Sequence, residues 1–117
     1  MLRASAEAKN IPVNLTCVVD PSVDSGIENG DVLLRFADAV CGADVASLEI
    51  ARAELLERLG PAVLVEAAAV AGNFSTNDRA ANAIGIPMES FFLNGSETYR
   101  KELGIDDYPS ARNTPDR

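Results

Sequence analysis

Glu66 and Arg79, with Asn73, Asn77 and Asn82 around them, are the side chains of this sequence whose types could do chemistry. Arg79 carries a planar fork of donors suited to holding an anion such as a carboxylate. Glu66 stands in a run of alanines and valines, where burial would raise its pKa and let it deliver a proton. The plainer alternative puts Glu66 on an outward position of a helix. Asn73 and Asn77 are one helical turn apart and share a face, and Asp78 and Asn82 form a second such pair. Three readings of this polar stretch stand open. It is a solvated helix surface, or it bonds across a subunit interface, or Arg79, Asn73 and Asn77 bind a substrate while Glu66 acts as the catalytic acid. If it is buried, each group must find a partner, because an unpaired one costs about 1–3 kcal/mol.

Spacing constrains the catalytic reading. Glu66 and Arg79 are thirteen positions apart, which is about 20 Å along one helix. One copy cannot bring both to a small substrate. Two copies, setting the Glu66 of one against the Arg79 of the other, could.

Other chemistries are poorly supplied. The chain has no histidine, so the commonest general base and the usual zinc and haem ligands are missing. Cys17 and Cys41 form no CxxC and match no zinc spacing. Both read as small buried hydrophobes, and no disulfide between them is expected in a reducing compartment. Cys41 follows a helix C-terminus and is flanked by Asp38 and Asp44, all of which disfavour a thiolate. The sequence therefore predicts no metal site and no cofactor.

The elements that would position these residues read as helices. At 117 residues the chain fits one domain. Its apolar content is mostly alanine and leucine, which favour helix over sheet. The net charge of −8 argues against nucleic acid and against an anionic membrane surface. No apolar run reaches the roughly 18–20 residues of a membrane span, and no apolar signal core follows the first basic residues. A cytoplasmic location is the expectation.

Along the chain, residues 1–28 read as an extended arm, with Val13, Leu15, Cys17 and Val19 on one strand-like face. The first helix covers about residues 31–40, with Leu33, Phe36, Ala37 and Val40 as its stripe. The second runs from about Asp44 or Ser47 to Leu59, with Leu48, Ala51, Leu55 and Leu59 inward, and stops at Gly60. Pro61 opens a third helix that continues to Ile84 and ends at Gly85 and Pro87. Its first half is apolar all round, which predicts enclosure by other helices. Phe91 and Phe92 are expected to pin the following segment to a core or a partner. A short helix over 96–103 and a polar tail liable to fray complete the chain.

Several of these words occur in an order that resembles the C-terminal half of a carboxymuconolactone decarboxylase or alkylhydroperoxidase D-like (AhpD-like) protein. They are Leu34, Phe36, Ala37 and Asp38; Leu59 and Gly60; Leu64, Val65 and Glu66; then Phe74, Arg79, Gly85, Ile86 and Pro87. The resemblance covers about residues 29–89, roughly half the chain. It implies an all-α small helical bundle, three main helices plus the extended N-terminal arm, assembling into symmetric oligomers through long helices. The family's CxxC and histidine are absent, so dithiol peroxidase chemistry is not implied. What remains is a companion subunit, or a cofactor-free enzyme on a small carboxylic substrate. The rival reading is a non-catalytic helical oligomerisation or interaction module. A homo-oligomer is expected on either.

Overall fold

A computed structural model describes residue 6 and residues 8–114. The other parts of the expected arm and tail lie outside the described residues. Helix α1 spans Gly30–Cys41. Helix α2 spans Val45–Ile84 and breaks at Gly60, where φ is 83°, so it consists of two arms, 45–59 and 61–84. Helix α3 spans Ser90–Glu102. Three 3-10 turns, Leu15–Val18, Ile105–Asp107 and Pro109–Asn113, complete the order. The fold is all-α, with no strand among the described residues. The chain divides into two units, Met1–Ser75 and Thr76–Arg117.

The first unit is built on a helical hairpin. Only residues 42–44 separate α1 from α2, and a link that short favours antiparallel neighbours. Asp44 starts α2 by accepting the backbone N–H of Ala46 and of Ser47, which satisfies orphan donors of the first turn. The ion pairs confirm the direction. Arg35 meets Glu54, and four residues back along α1 Asp31 meets Arg58, four residues forward along α2. Between the helices lie Val32, Phe36, Ala51 and Leu55, all buried, with Leu33, Val40, Leu48 and Leu59 packed against them. The α2 stripe is the expected one. On α1 the inward face is rotated: Val32 is buried and Ala37 is exposed.

Among the described residues before α1 there is no strand. Asn14 accepts the Thr16 N–H at 3.0 Å, an Asx turn that offers the backbone an alternative to β pairing. A 3-10 turn follows, which buries Cys17 and leaves Val18 and Val19 exposed. The segment folds back so that the Asn14 N–H donates to the Ser25 carbonyl. Gly26 makes this possible. Its φ is +75°, and a Cβ there would collide with the Pro12 carbonyl.

Gly60 ends the first arm of α2 with a positive φ, and Pro61 opens the second, where its missing N–H costs nothing. In the second arm Leu64 and Ala67 pack against the hairpin core. Among the described residues the expected enclosure on most sides is not seen. Val65, Val70 and Phe74 remain 68%, 58% and 60% exposed.

In the second unit, α2 stops at Gly85, whose φ is 68°. The Ile86 N–H bonds back to the Ala81 carbonyl, the long closing bond of a glycine-terminated helix. Helix α3 begins six residues before the expected start, at Ser90. Phe91 and Phe92 lie on its first turn, edge to face at 5.4 Å, and both are exposed instead of pinned in a core. The described residues after α3 are tied back at Asp106 and Thr114. Arg100 pairs with Asp106 at 2.7 Å, and the Thr114 hydroxyl accepts the Met88 N–H at 2.7 Å.

Candidate functional site

Each residue of the expected site lies on the second arm of α2, and each is exposed. Glu66 and Asn73 belong to the first unit. Asn77, Asp78, Arg79 and Asn82 belong to the second. Both Glu66 and Arg79 occupy solvent-facing positions of their own units, not an enclosed cavity. Of the two cysteines, Cys17 is buried and Cys41 is exposed; both are free thiols. Cys41 therefore departs from the expected small buried hydrophobe, because it occupies the last turn of α1 beside the link to α2. Among the described residues no group of three His, Cys, Asp or Glu could hold a metal ion. No helix among them is long and apolar enough to cross a membrane.

Clefts open in both units. One, of about 450 Å³, runs beside the hairpin and is lined by Arg35, Asp38, Asp44, Ser47, Ile50 and Glu54 among others. Its main polar groups are already engaged. Arg35 donates to both Asp31 and Glu54, which lowers both carboxyl pKa values. Asp44 is committed to the helix start, and the Ser47 hydroxyl and nearby N–H groups hold its pKa down.

Another cleft, of about 290 Å³, lies wholly in the second unit. Ile86, Met88, Leu93 and Ile105 give it apolar walls, and Asn82, Arg100, Ser110 and Asn113 give it polar groups. Arg100 is only 6% exposed. One terminal nitrogen donates to Asp106 Oδ1 at 2.7 Å and the other to the Leu93 carbonyl at 3.2 Å. Its Nε is buried and has no hydrogen-bond partner among the described residues.

Sequence reasoning passed over Arg100. The available signal is the spacing of Leu93, Ser96 and Arg100, which puts the three on one helical face. Ser96 is 2% exposed, so that face is the inward one, and the guanidinium at its end is buried with it.

The outward face of the 61–75 segment is the other notable feature. Ala62, Val65, Ala69 and Gly72 recur at intervals of three, four and three, and all are exposed. From residue 61 to residue 77 the only charged side chain is Glu66. A Cβ built on Gly72 would meet nothing within 4 Å. Comparison of the chain with family models, with curated proteins and with solved structures finds no match.

Proposed function

We propose that this chain is a non-catalytic helical interaction module that pairs with a second copy of itself through the outward face of residues 61–75. The carrying observation is the exposed seam Ala62–Val65–Ala69–Gly72. Its three–four spacing is the one with which two helices mesh side by side. Small residues on such a seam let backbones approach closely, which is the compensation expected for a glycine that costs a helix interior about 1 kcal/mol relative to alanine.

Charge favours the same strip. At a net charge of −8, two copies repel at long range. Over residues 61–77 they meet with Glu66 as the only charge each brings. The resemblance to the carboxymuconolactone decarboxylase-like family points the same way, since it implies assembly through long helices. The companion-subunit reading differs only in the identity of the second chain.

Val65→Lys and Ala69→Glu test this. Both side chains face solvent in the single chain, so the fold tolerates them. Pairing predicts that each variant keeps its helical circular dichroism and falls to the mass of one chain in sedimentation. Variants that hold the same mass as the parent would overturn the assignment of this face.

A further inference from the structure

We infer that the cleft of the second unit, centred on Arg100, is a binding site for a small monocarboxylate with a short apolar tail. The site is independent of the helix seam and does not rest on pairing.

Three observations converge on it. The guanidinium is enclosed at the cleft, 6% exposed, and its Nε has no partner among the described residues. An arginine fork satisfies a carboxylate with two parallel N–H donors, yet here Asp106 takes one, through a single oxygen at 2.7 Å. The fork is thus incompletely used. Second, the Asp106 side chain is 36% exposed. It can leave the guanidinium for water while Arg100 stays in place, held by the Leu93 carbonyl. Asp106 is therefore an internal occupant that an external carboxylate can displace. Third, the walls beyond Arg100 are apolar, with Ile86, Met88, Leu93 and Ile105, and the volume is about 290 Å³. That is close to the lower limit, about 300 Å³, of small-molecule pockets. A charged head on Arg100 and a branched tail of a few carbons match that division of surface.

Displacement has a directional consequence. Removing the charge of Asp106 weakens its hold on the fork and leaves the guanidinium without its counter-charge, so affinity for an external carboxylate rises. Removing the fork lowers it.

The probe is isobutyrate, with isobutyramide as its uncharged counterpart, added to the full chain and followed by two-dimensional amide NMR. The expected result is a saturable shift change at Asn82, Ile105 and Thr114 with isobutyrate. Binding is expected to be about tenfold tighter in Asp106→Asn and about tenfold weaker in Arg100→Lys, since lysine keeps the charge and loses the fork. The same spectra report whether each variant is folded. If Arg100→Lys fails to fold, the gain in Asp106→Asn decides alone. No saturable change with isobutyrate in either the parent or Asp106→Asn overturns the site, and so does an equal response to isobutyramide.

Discussion

Arg35 on α1 grips Glu54 on α2 with two donors, Nη2 to Oε1 at 2.6 Å and Nε to Oε2 at 3.1 Å. The same Nη2 also reaches Asp31 at 2.9 Å, and Arg58 closes the group from the other side. Four charges therefore bridge the open edge of the hairpin whose other side is the apolar core. They fix the register of α1 against α2, since a slip by one turn would separate both cross-helix pairs.

This network makes stability depend on acidity in one direction. Arg35 holds the Asp31 and Glu54 carboxyls below their ordinary pKa values. A carboxyl lowered on folding stabilises the protein above its unfolded pKa, about 4, and loses that contribution as pH falls through the folded value. The melting temperature should therefore be flat near neutrality and decline below about pH 4. In Arg35→Gln the neutral-pH value should drop modestly and the acid decline should become shallower. All members of the network are at least partly exposed, so high salt should narrow the gap between parent and variant. An identical acid profile in the two proteins would contradict the assignment.

Leu55 is fully buried at the centre of the first unit's core. Its truncation to alanine leaves a cavity among Val32, Phe36 and Ala51. Urea unfolding of Leu55→Ala should show a loss of about 2–5 kcal/mol. A loss below 1 kcal/mol, on the order of a surface substitution, would mean that the hairpin core is not where it has been placed.

Two glycines separate backbone strain from collision. Gly26 and Gly60 both have positive φ. A Cβ on Gly26 strikes the Pro12 carbonyl, whereas one on Gly60 meets open space. With ψ at 172° beside its positive φ, Gly60 sits in a backbone region open essentially to glycine alone, so Gly60→Ala should cost that backbone strain only, about 1–3 kcal/mol, and Gly26→Ala the collision as well. Thermal melts of the two variants side by side make the comparison. Equal losses would show that the Pro12–Gly26 approach contributes nothing.

The two arms of α2 and helix α1 were readable because periodicity and breakers agree there. Leu48, Ala51, Leu55 and Leu59 mark a single inward stripe, Gly60 and Pro61 punctuate it, and Gly85 ends it. The turn at Leu15–Val18 was not readable as such, since Val13, Leu15, Cys17 and Val19 also alternate as a strand does. It is the Asn14 side chain that tips the backbone into a turn. The start of α3 was hidden by Gly95, a residue that weakens a helical pattern yet lies inside the helix.

The two proposed surfaces were legible to different degrees. The apolar run after Pro61 reads as a buried helix, yet Val65 is 68% exposed in its own chain. Arg100 gave less warning. A buried arginine shares its letter with the many that are solvated; beyond the Leu93–Ser96–Arg100 spacing, it is its partners, Asp106 and the Leu93 carbonyl, that distinguish it.

Sedimentation equilibrium of the unmodified chain tests the pairing most directly. Self-association through residues 61–75 predicts a mass at least twice the 12.4 kDa of one chain. A single species of 12.4 kDa that persists as concentration is raised would contradict it.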